Sequence, residues 1–108
     1  MNLFVTGSTG FVGSHLVRLA LKTSHRVRAL RRTVKSEPRV VLPQQPEWIV
    51  KGMEELTGSD FAGVHIVIHL AAHPPNFRYD FLENCVYWNL SVPLKMFEQA
   101  VKGACVNS

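Results

Sequence analysis

Three glycines, Gly7, Gly10 and Gly13, stand three residues apart between an apolar run and an amphipathic one. Leu3-Phe4-Val5 before them reads as a buried parallel strand. After them, Phe11, Leu16, Leu19 and Ala20 recur at helical spacing, with Arg18 and Lys22 on the other side. The glycines therefore fall where a strand hands over to a helix. Few folds make that transition so tightly.

That context gives each glycine a task. Gly7 allows the tight turn out of the strand. Gly10 lets a ligand approach the backbone, and Gly13 lets the helix pack closely on the sheet. The free amides at the helix start and the positive end of its dipole then face outward, the arrangement that takes a pyrophosphate. Within strand–turn–helix, the spacing reads as a dinucleotide-binding fingerprint. The competing reading is an ordinary turn with three permissive glycines.

The rest of the chain alternates in the same way. Strands are expected at about 2–6, 26–30, 48–50 and 64–70, and a helix at about 11–22. Residues 31–46 read as a loop punctuated by Pro38, Pro43 and Pro46. A short helix begins at Glu54–Leu56 and ends near Gly58. The unbroken apolar character of Val64–Leu70 argues for a central parallel strand rather than a half-exposed one. A long helix follows from Asp80, a plausible N-cap, to Val101, with a kink or break at Pro93. Right-handed crossovers make this an α/β chain, a Rossmann-type parallel sheet of about four strands in the order 3-2-1-4 with helices on both faces. Residues 1–108 form one nucleotide-binding domain on this reading.

Residues 6–13 resemble the T-G-x-x-G-[FY]-[IV]-G opening of the extended short-chain dehydrogenase/reductase family, the NAD(P)-dependent sugar epimerases and dehydratases. Val67-Ile68-His69-Leu70-Ala71-Ala72 is similar to that family's fourth-strand end, and Asn89 to an Asn in the helix beyond it. The resemblance implies that Gly7, Thr9, Gly10, Phe11, Val12 and Gly13 form the pyrophosphate turn. It implies that Leu70, Ala71 and Ala72 lie against the cofactor, with Asn89 supporting that loop. Where the family has Gly-Asp-Leu after its third strand, with the Asp near the adenine, this chain has Gly52-Met53-Glu54. The adenine contact is expected to be lost.

Charge points to the form of the cofactor. Residues 1–36 contain no Asp or Glu, but hold Arg18, Lys22, Arg26, Arg28, Arg31, Arg32 and Lys35. In NAD-binding proteins of this fold an acid about 20 residues past the glycines accepts hydrogen bonds from the ribose hydroxyls. Here Arg31 and Arg32 occupy that place. A guanidinium donates only, and pairs bidentately with a 2′-phosphate, so NADP is favoured over NAD. A solvated basic loop is the competing reading. Nucleic-acid binding is the weakest, because the basic residues are not interleaved with aromatics.

The remaining signals are mostly exclusions. No apolar run approaches the ~20 residues of a membrane span. The opening Met1-Asn2-Leu3 lacks a basic lead, and Cys85 and Cys105 lack metal-type spacing, so a cytoplasmic protein with reduced thiols is expected. His65, His69 and His73 recur every four residues, but along a strand that is ~13 Å, too far to share an ion. His69 reads as packed at the strand end, His73 as part of the cofactor loop, and His15 and His25 as surface residues.

Catalytic tyrosines of the family stand in a Tyr-x-x-x-Lys pair. Tyr79 and Tyr87 are followed four residues on by Glu83 and Ser91, and no such pair exists in the chain. The resemblance thus covers only the first part of the family's fold, before its catalytic Ser, Tyr and Lys. Three readings stay open: the cofactor-binding part of an epimerase, dehydratase or reductase, a non-catalytic NADP-binding regulator, or a fragment without its own function. With no fifth strand to cover the fourth, self-association or a missing C-terminal segment is the expected partner.

Overall fold

The computed structural model describes residues 1–71 and 82–107, with backbone alone for 104–107. Four parallel strands make one sheet in the order β3-β2-β1-β4: β1 (Asn2–Thr6), β2 (Arg26–Arg31), β3 (Glu47–Val50) and β4 (Ile66–His69). Helix α1 (Phe11–Lys22) crosses from β1 to β2. After β3 the chain makes two short 3-10 turns, Met53–Glu55 and Gly58–Phe61. Beyond β4 come α2 (Leu82–Val86), a π turn (Tyr87–Ser91) and α3 (Val92–Asn107).

Alternation along the strands divides the apolar residues between two faces. Leu3 and Val5 of β1 and Val27 and Ala29 of β2 meet Val17, Ala20 and Leu21 of α1. Phe4 and Leu30 point the other way, onto Leu56, Phe61 and Met96. The Phe4 and Phe61 rings lie 4.5 Å apart, both fully buried. Burying a ring of that size contributes ~1.5–3 kcal/mol, so this pair anchors the second core.

The sheet has the expected order and direction, and three local readings need correction. The buried stripe of α1 is Gly13, Ser14, Val17, Ala20 and Leu21. Phe11 is 67% and Leu19 60% exposed, because the close approach at Gly13 turns the helix by part of a turn from the stripe that hydrophobicity alone suggests. Second, β4 is shorter than 64–70 and is an edge strand of the described sheet, with Ile66 41% exposed. Its apolar run covers both faces while leaving its outer rim open. Third, Pro93 lies within the first turn of α3 and the irregularity falls before it. Val92 N–H donates to Tyr87 O, five residues back. Widening the turn there accommodates a residue with no N–H of its own. The helix then continues past Val101 to Asn107. Asp80, Tyr79 and His73 lie outside the described residues.

Candidate functional site

The C-terminal ends of the parallel strands carry the site, where open α/β sheets bind ligands. Thr6 ends β1 and Gly7 turns with φ +69°, a left-handed conformation that side chains rarely adopt. A Cβ on Gly7 would also lie 2.7 Å from the Ala71 amide nitrogen and the Leu70 carbonyl carbon. A Cβ on Gly13 would overlap the Gly7 carbonyl oxygen. The turn and the helix start are therefore in backbone contact. Gly10 N–H donates to Gly7 O at 3.1 Å, and Ser14 N–H to Gly10 O at 2.9 Å.

Two buried serines fix the turn. Ser8 Oγ donates to Val5 O at 2.8 Å. Ser14 Oγ donates to Ser8 O at 3.0 Å and accepts from Arg39 N–H at 2.9 Å, tying the loop after β2 to α1. Helix geometry leaves the amides of Phe11, Val12 and Gly13 without intrahelical acceptors. No acid stands in the first turn of α1, so the positive end of its dipole is uncompensated.

Beside this turn lies a cavity of about 170 Å³, lined by Gly7, Thr9, Leu30, Arg31, Arg32, Ser36, Lys51, Met53 and Ala71. Of the residues singled out in the sequence, Gly7, Thr9, Arg31, Arg32 and Ala71 converge here. Leu70 meets the turn through its backbone, while Gly10, Phe11, Val12 and Gly13 stand at the adjoining helix start. Asn89 lies exposed in the π turn and does not line the cavity, and Ala72 lies outside the described residues.

The cations are held differently. Arg31 is stacked on Trp48, its guanidinium carbon 4.4 Å from the ring centroid, and donates to Ser36 O at 3.3 Å. Its buried Nε has no hydrogen-bond partner. Arg32 lies 3.7 Å from the Glu54 carboxylate and 5.2 Å from the Trp88 ring. Lys51 donates to both carboxylate oxygens of Asp60, at 3.1 and 2.8 Å. Burial opposes ionisation of Asp60, but the bonds from Lys51 and Thr57 outweigh it and hold the carboxyl below its usual value. Three cationic side chains thus border the cavity, two of them paired with carboxylates that lie outside its lining. Together with the glycine approach surfaces, they suit a dinucleotide.

Sequence reasoning missed Ser36, Lys51, Trp48 and Trp88. Lys51 had a signal, since it follows β3 as Arg32 follows β2, at the rim where parallel strands deliver their ligands. The two tryptophans had none, because each meets its arginine only through the fold.

The far end of the sheet has a larger groove, about 290 Å³, bordered by Asn2, His25, Arg26, Gln44 and Glu47. It lies at the N-terminal ends of the strands, away from the glycine turn. No group of three or more His, Cys, Asp or Glu suited to a metal ion occurs among the described residues. No helix among them is long and apolar enough to cross a membrane.

Known proteins place this arrangement. The fold is similar to that of MoeE5, solved with UDP-glucose and NAD, at 25% identity and TM-score 0.71 over 95% of this chain and 33% of that one. It is similar to the NAD-dependent NDP-hexosamine 5,6-dehydratase TunA, at 29% identity and TM-score 0.58 over 67% of this chain and 23% of that one. The UDP-glucose 4-epimerase of Thermotoga maritima shares the fold at 22% identity and TM-score 0.75, over 95% of this chain and 35% of that one. The chain thus spans between 23% and 35% of the length of these proteins. No curated protein sequence matches it. The model of the NAD dependent epimerase/dehydratase family matches residues 3–105, and with its glycine turn, parallel sheet and strand order the chain belongs to that family.

Proposed function

We propose that residues 1–108 are the cofactor-binding part of an epimerase, dehydratase or reductase acting on nucleotide-linked sugars, with NADP favoured over NAD. One observation carries the cofactor preference. The cavity beside the glycine turn presents Arg31 and Arg32 at the end of β2, where an NAD site has an acid, and adds Lys51 from the end of β3. A ribose 2′-phosphate is the partner that such guanidinium groups favour. The α1 amides and dipole take the pyrophosphate, while Gly7, Thr9, Leu70 and Ala71 border the dinucleotide.

The sugar-nucleotide reading rests on the family and on the UDP-glucose bound in the MoeE5 structure. When bound, the nicotinamide cofactor supplies hydride transfer. What this chain's residues do is bind and orient it. The chain contains no Tyr-x-x-x-Lys pair, so it binds without turning over. The free Cys85 thiol suits a reducing compartment such as the cytoplasm.

Calorimetric titration of the protein with NADPH and NADH tests the reading. Tighter NADPH binding supports it. Equal affinities or an NADH preference overturn the NADP assignment, and cofactor-dependent turnover by the chain alone overturns the absence of catalysis.

A further inference from the structure

We propose that Glu54 competes with the phosphorylated cofactor for Arg32, and so sets how strongly this site separates NADP from NAD. The inference rests on reading the cavity as the adenosine-ribose site.

The two arginines there are not equivalent. Arg31 is fixed by its stack on Trp48 and its bond to Ser36 O. Arg32 has a side chain 60% exposed, and its ion pair with Glu54 is long at 3.7 Å. Such open pairs are weak and exchange readily. A phosphate monoester, with nearly two charges and three acceptor oxygens, is the stronger partner for a guanidinium. Arg32 is therefore the arginine free to turn toward an incoming 2′-phosphate.

The backbone beneath the carboxylate leaves room for it. Gly52 has no side chain, and a Cβ there would run into the Glu54 carboxylate. The neighbouring acid has a separate duty, since Gly52 N–H donates to Glu55 Oε1 at 2.9 Å and closes the 3-10 turn. Glu54 is thus not needed to cap that turn. Its charge faces Arg32 across the rim of the cavity. With NAD bound, the Arg32–Glu54 pair can persist. With NADP bound, Arg32 goes to the phosphate and the carboxylate is left beside a like charge.

Calorimetry with NADPH and NADH on wild type and Glu54→Gln tests this. The amide keeps the shape and removes the charge at a partly exposed position. NADPH affinity is expected to rise about threefold or more while NADH changes by less than about twofold, and the gain should shrink as salt screens the charge. Unchanged or weaker NADPH binding in the variant overturns the proposal. So does a loss of NADH binding with NADPH unchanged, which would make Glu54 an acceptor for ribose hydroxyls. An NADH preference in the wild type would defeat the proposed NADP assignment, and the direction of the Glu54→Gln change would still decide this one. Binding of neither cofactor to either protein would overturn both.

Discussion

The Thr6 hydroxyl stands 2.6 Å from Nδ1 of His69 and accepts the amides of Leu70 at 3.1 Å and Ala71 at 3.3 Å. With its lone pairs committed to the two amides, the hydroxyl's proton goes to Nδ1. His69 is therefore neutral, with its own proton on Nε2. Burial pushes its pKa below the ordinary value of 6.5. The unfolded chain binds the proton more readily, so stability rises with pH. This contribution is complete above about pH 6.5 and is lost as pH falls toward the lower folded pKa. Thermal melts from pH 7.5 to 5 should show the decline in wild type and a smaller one in His69→Gln. Parallel declines would remove His69 as the cause.

Gly13→Ala should be among the most damaging single-methyl additions in the chain. The new Cβ meets backbone, the Gly7 carbonyl, which cannot swing aside as a side chain can. Overpacking of this kind costs about 3 kcal/mol. Denaturant unfolding measures it, and a variant within about 0.5 kcal/mol of wild type would mean the turn and helix part easily.

Arg31→Ala should weaken NADPH binding about tenfold or more, the range of a lost charged hydrogen bond, and leave NADH nearly unchanged. Trp48→Ala should weaken NADPH less, since it frees Arg31 from its stack without removing the charge. Equal losses for both cofactors in Arg31→Ala would show the residue to be structural.

The outer rim of β4 is expected to draw other chains. Among the described residues β4 pairs with β1 alone, and an apolar groove of about 250 Å³ runs beside it between Phe61, Val64, Val67, Phe97, Ala100 and Val101. An unpaired strand with no charge on it is a template for association. Light scattering after size exclusion should show self-association on the order of tens of micromolar, reduced in Ile66→Lys. A stable wild-type monomer at that concentration would show the rim to be protected.

The glycine turn and the sheet order were legible in the sequence because their causes are local. Gly7 has a left-handed turn to make and Gly13 meets a carbonyl six residues back, and each strand carries its own apolar run. The tilt of α1 was not legible, because Phe11 and Leu19 are as apolar as Val17 and only the contact at Gly13 decides which face turns inward. The arginines after β2 were legible as charges. Their unequal restraint was not, since Trp48, Glu54 and Trp88 reach them from separate segments.

The π turn ahead of Pro93 also sets a phase. In a regular helix each residue advances about 100°, so Trp88 and Met96, eight positions apart, would point some 80° away from each other. One residue absorbed in the wide turn makes eight positions count as about seven, and the offset falls to roughly 20°. Trp88 then shares a stripe with Met96, which is buried against Phe4 and Leu30 on the sheet. The wide turn ahead of Pro93 thereby sets a tryptophan 5.2 Å from the Arg32 guanidinium, and a segment remote from the glycine turn touches a cation of its cavity.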